Sequence, residues 1–91
     1  MPTISYFYVS AIRMYLNDHF PPHLHAEYGE SEACIAIETG RSIEGYLPKA
    51  VERLVAEWVS LNNAALVENW RLARLGLPLN KIGGLDAEQG R

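Results

Sequence analysis

The chain has 91 residues, 48% of them hydrophobic and 21% charged, with a formal net charge of −3. This is the length of one domain, too apolar for a disordered chain, and its negative balance weighs against non-specific nucleic-acid binding, which draws affinity from phosphate neutralisation. No membrane-length apolar stretch, no signal-peptide layout and a single cysteine, Cys34, lead us to expect a cytoplasmic protein with no membrane partner.

Thr3 to Val9 is rich in β-branched and aromatic residues and reads as a first strand. In Ala11 to Leu16, Ile12, Met14 and Leu16 alternate with Ala11, Arg13 and Tyr15, which predicts a second, half-buried strand ended by Asn17-Asp18. A third strand is expected from His23 to Tyr28. Gly29-Glu30 then supplies a tight hairpin turn, with a fourth strand from Ser31 to Glu38 whose apolar row is Ala33, Ile35 and Ile37. Thr39-Gly40 reads as a second tight turn and Arg41 to Glu44 as a short fifth strand.

At Pro48 the apolar period changes to that of a helix. Val51, Leu54, Val55, Trp58 and Leu61 recur at three- and four-residue steps, on a helix that Pro48 is suited to open. Asn62-Asn63 offers an N-cap for a second helix, Ala64 to Leu75, with Leu66, Val67, Trp70, Ala73 and Leu77 as its inner row and Gly76 and Pro78 as its stop. Leu79 to Ile82 reads as a short final edge strand, and residues 83–91 as a mobile tail. The expected fold is α+β, a single domain over residues 1–82. An antiparallel sheet of about five strands is followed by two helices covering the face that carries Ile12, Met14, Leu24, Ala26, Ile35 and Ile37. Thr3 to Val9 contains no lysine, proline or glycine to blunt an edge, so a partner protein or homo-oligomer pairing through the first or last strand is also expected.

All three histidines, His19, His23 and His25, fall within seven residues around Pro21-Pro22. Strand alternation puts His23, His25 and Glu27 on one face. Three chemistries fit these residue types. In the first, the imidazoles are structural and bond to carbonyls that a Pro-Pro connector leaves without local donors. In the second, His19, His23 and His25 bind zinc or another divalent metal, with Glu27 or water completing the shell, although H-x3-H-x-H is no standard metal signature. In the third, two histidines act as acid and base on a phosphodiester, as in RNA cleavage through the 2′-hydroxyl, and Arg13 and Tyr15 hold the phosphate. Cys34, among apolar neighbours, reads as an inert packing residue, and Trp58 and Trp70 as core anchors.

Several runs together resemble one bacterial family: Met1-Pro2-Thr3-Ile4-Ser5, Ile12-Arg13-Met14-Tyr15, Asn17-Asp18-His19, Pro21-Pro22-His23-Leu24-His25-Ala26-Glu27-Tyr28, Ile37-Glu38-Thr39-Gly40, Gly45 to Pro48 and Glu68-Asn69-Trp70. That family is the domain of unknown function 4160, and the resemblance runs from residue 1 to about residue 82. It carries no established activity. What it implies is a partner, since members are often encoded beside a second small domain in a toxin–antitoxin-like pair. The expected function is therefore one member of such a pair, with the histidine stretch as its active or recognition surface. The alternative is a small phosphodiester hydrolase or ribonuclease working through the histidines or a bound metal.

Overall fold

The computed structural model describes residues 3–7, 10–15 and 21–84. Its elements, in chain order, are β1 (Thr3–Phe7), β2 (Ser10–Arg13), β3 (His23–Tyr28), β4 (Ser31–Ala36), β5 (Ser42–Tyr46), α1 (Lys49–Leu61) and α2 (Asn63–Arg74). The sheet order is β1-β2-β3-β4-β5, each neighbour antiparallel, so the chain meanders once across the sheet before turning into helices. The α+β class, with an antiparallel sheet followed by two helices, agrees with the sequence reading.

Gly29 adopts φ 59°, a left-handed conformation that costs a glycine little, and closes the β3–β4 hairpin so that Tyr28 meets Ser31 and Leu24 meets Ile35. The second turn is not the two-residue turn expected at Thr39-Gly40. Strand β4 ends at Ala36: the Ile37 N–H still bonds to the Pro22 carbonyl at 3.1 Å, but Pro22 has no N–H to return the bond, and a wider loop is closed by Ala36 N–H donating to Arg41 O at 2.9 Å. This moves the last strand to Ser42–Tyr46. Inside that strand Gly45 has φ 85° and lies against the Glu32 carbonyl so closely that a β-carbon there would collide with it.

Ile12, Met14, Leu24, Ala26, Ile35 and Ile37 are all buried and share one cluster with Val51, Val55, Trp58, Val59, Leu66, Trp70 and Ala73 of the helices. The expected phase of the sheet is thus the phase observed. The helical rows differ at their margins: Leu61, Val67 and Leu77 are exposed, while Val59 and Asn69 are buried. Asn62 precedes α2 without a side-chain capping bond. Its amide instead donates to Trp58 O at 2.9 Å, closing the end of α1, and Asn63 donates to Ile37 O at 2.9 Å. The end of α2 follows the expected stop, with Gly76 N–H donating to Ala73 O and Leu77 N–H to Leu72 O, the paired bonds of a Schellman motif.

Residues 79–82 do not form the final strand expected. Their backbone is paired by a side chain instead: buried Asn69 donates to Asn80 O at 2.9 Å and accepts from Asn80 N–H at 2.9 Å, while Leu79 and Ile82 pack on the core. Residues 83 and 84, assigned from sequence to the tail, are also held. Trp58 Nε1 donates to Gly83 O at 2.8 Å and Gly84 is buried; residues 85–91 lie outside the described residues.

Trp58 is therefore both a fully buried core anchor and the tether of the segment after α2. Trp58→Ala should cost about 3–5 kcal/mol in urea unfolding, from the cavity it leaves. A loss within the range of surface substitutions, about 0.5 kcal/mol, would contradict this role.

Candidate functional site

The sheet has a second face, away from the helices, and the register arranges its polar residues in rows. Arg13 of β2 is opposite His25 of β3, His25 is opposite Cys34 of β4, and Cys34 is opposite Glu44 of β5. Two residues along each strand, Ala11, Glu27, Glu32 and Tyr46 form the next row.

His23 starts β3 and is 2% exposed. Its Nδ1 lies 2.7 Å from the Pro21 carbonyl, and because a carbonyl only accepts, Nδ1 carries the proton. In the neutral ring the lone pair is then on Nε2. The ring stands 5.1 Å from that of His25 and 5.5 Å from that of Trp70 on α2. The carbonyl bond expected of a structural histidine is present, and it also orients the ring in the way that partners of ligating histidines do.

His25 is partly buried beneath Tyr15, whose ring stacks on it at 4.3 Å and 15°. Its Nδ1 faces two groups, Cys34 Sγ at 3.5 Å and Glu32 Oε2 at 3.4 Å. His23, His25 and Cys34 each offer a ligating atom, all within 4.8 Å of one another. A shallow cavity lined by His25, Glu32, Ala33, Cys34 and Glu44 opens beside them.

The other expected site residues have different partners. Arg13 sends Nη1 to Thr3 Oγ1 at 2.7 Å, and its Nε lies 3.2 Å from Glu27 Oε1. That Nε–H makes no hydrogen bond among the described residues, so charge alone holds the pair. Arg13 is thus paired within the sheet, and Glu27 faces Arg13 outside the donor cluster. Tyr15 uses its ring face on His25. His19 lies outside the described residues, as do Asn17 and Asp18.

Cys34 is the site residue that sequence reasoning missed. The signal was available in the hairpin itself: a two-residue Gly29-Glu30 turn pairs Tyr28 with Ser31, and counting back three pairs brings His25 opposite Cys34. Residues remote in sequence supply the histidine neighbour that a reading of sequence neighbours overlooks.

Fold and site together define a small α+β domain whose antiparallel sheet is backed by helices on one face and carries a histidine–cysteine cluster on the other. The chain belongs to the family described as Domain of unknown function (DUF4160), which matches residues 11–71 and so includes the whole cluster. No curated protein and no solved structure matches it.

Removal of the His23 ring empties a buried position beside Trp70 and takes the Nδ1–H donor from the Pro21 carbonyl. His23→Ala should cost about 1–3 kcal/mol in chelator-treated buffer, more than His25→Ala at its partly exposed position. Urea denaturation of both variants compares the two, and an equal or smaller loss for His23→Ala would refute the structural part of its role.

Proposed function

We propose that this protein is one member of a toxin–antitoxin-like protein pair and that it receives an extended, basic segment of its partner along β5. The observation that carries this reading is an edge strand with apolar exposure: β5 is last in the sheet order, and Ile43 and Tyr46 are 50% and 67% exposed. An edge strand offers unpaired backbone donors and acceptors to an added strand, and no lysine or proline within Ser42–Tyr46 blunts it. Glu32 and Glu44, both exposed, stand next to Tyr46 and give the face the negative charge that favours a basic segment. Because Glu44 also lines the cavity over His25 and Cys34, a strand docked there lies against the histidine face. Cytoplasmic location belongs to the same reading, since a chain with one cysteine has no disulfide framework.

A homo-oligomer formed by β5 pairing with its own copy is the competing use of the same edge. The alternative function, a phosphodiester hydrolase or ribonuclease, is favoured by the 5.1 Å approach of two imidazoles. It is weakened by Arg13, which is committed to Thr3 and Glu27, and by carboxylates at the cavity, which repel a polyanion.

The test is co-expression with the product of the adjacent gene, followed by calorimetry of the purified pair. Tyr46→Lys and Ile43→Lys should each weaken association at least about tenfold, equivalent to about 1.4 kcal/mol. Unchanged affinity in both, or cleavage of RNA by this protein alone, would sink the proposal.

A further inference from the structure

We infer that His23, His25 and Cys34 form a binding site for a divalent transition-metal ion with affinity for thiolate, zinc being the ion that fits best. The inference goes beyond the partner reading and does not depend on it.

Three features of the geometry support the site. First, the Pro21 carbonyl at 2.7 Å takes the Nδ1 proton of His23, which leaves Nε2 of a buried, immobilised ring as the ligating atom. Second, His25 Nδ1 and Cys34 Sγ are 3.5 Å apart. Zinc–nitrogen bonds of about 2.0–2.1 Å and zinc–sulfur bonds of about 2.3 Å, at tetrahedral angles, place a nitrogen and a sulfur about 3.6 Å apart. The observed pair already spans that edge of the tetrahedron. Third, the ligating atoms of all three residues lie within 4.8 Å of one another, at most about 1.5 Å beyond the edges that bonds of those lengths require.

The donor types select the ion. Calcium and magnesium take shells dominated by oxygen, whereas two imidazoles and a thiolate suit zinc and its neighbours. Three protein ligands leave one position for water or a carboxylate, and Glu32 Oε2 stands 3.4 Å from His25 Nδ1, close enough to compete for it. The cavity between Glu32 and Glu44 gives the ion a route to Cys34 and surrounds it with compensating charge. On binding, the thiol gives its proton to solvent and its sulfur forms the metal bond, so affinity falls as pH falls.

The experiment uses the full chain, reduced and treated with chelator, titrated with zinc by calorimetry and with cobalt(II) by absorption. The expected result is one ion per chain, raised thermal stability with zinc, and a thiolate-to-cobalt charge-transfer band. Cys34→Ser and His25→Gln, at partly exposed positions, should retain the far-ultraviolet circular dichroism of the parent, lose at least about tenfold in zinc affinity and, for Cys34→Ser, lose the band. His23→Gln should do the same to affinity. Absence of heat and of stabilisation at millimolar zinc would overturn the site, as would zinc affinity in Cys34→Ser equal to that of the parent. Partner association measured in chelator reports separately on the β5 reading.

Discussion

Gly29 turns the chain at φ 59°, and that one backbone conformation decides which side chains of β3 and β4 meet. With the two-residue turn in place, Leu24 meets Ile35 and Ala26 meets Ala33 on the helix side, while His25 meets Cys34 on the other. A slip of one residue would exchange the faces of a strand, sending Leu24 and Ala26 away from the helices and the imidazoles into an apolar core. The core and the donor cluster are thus two consequences of one register. Burial of Leu24, Ala26 and Ile35 against Val55 and Trp58 makes that register costly to leave.

The register also explains which parts of the site were legible in the sequence. Alternation within a strand is local, so the shared face of His23 and His25 and the burial of Ile12, Met14, Ile35 and Ile37 could be read directly. Pairing between strands is not local. It brings Cys34 to His25, Glu27 to Arg13 and Thr3 to Arg13, so that a cysteine with the sequence neighbours of a packing residue faces an imidazole, and Arg13 and Glu27 face each other as an ion pair. The segment after α2 eluded the sequence for a similar reason. Its extended chain looks like a strand, but its partner is the buried side chain of Asn69, whose amide satisfies both an N–H and a C=O of Asn80. Asn62 likewise has the composition of an N-cap, yet bonds to the helix behind it because the Trp58 carbonyl is within reach.

The two faces of the sheet are tied together at the start of β3. The Pro21 carbonyl orients His23, and the Pro22 carbonyl accepts from Ile37, which belongs to the core. Trp70 stands in that core as well, with its ring 5.5 Å from His23. The Pro-Pro segment, with φ restricted at both residues and no N–H of its own, can serve as a stiff acceptor for both faces. This gives the histidine stretch a structural role: it orients the His23 ring while sealing the core beside it. At the other end of the cluster, Cys34 and Glu44 border the exposed edge at β5, so the face grades from a rigid, buried histidine to an accessible acidic margin.

On the inferred metal site, His23 Nε2, His25 and Cys34 act as one donor set on the second face. Long-range proton–nitrogen NMR of the imidazoles, before and after addition of zinc, tests it most directly because it reports the protonation of each ring nitrogen separately. The expected result is that the neutral His23 ring carries its proton on Nδ1, and that zinc shifts His23 Nε2 and one nitrogen of His25 together. A His23 ring protonated on Nε2 alone, or rings whose nitrogen signals do not move with zinc, would contradict it.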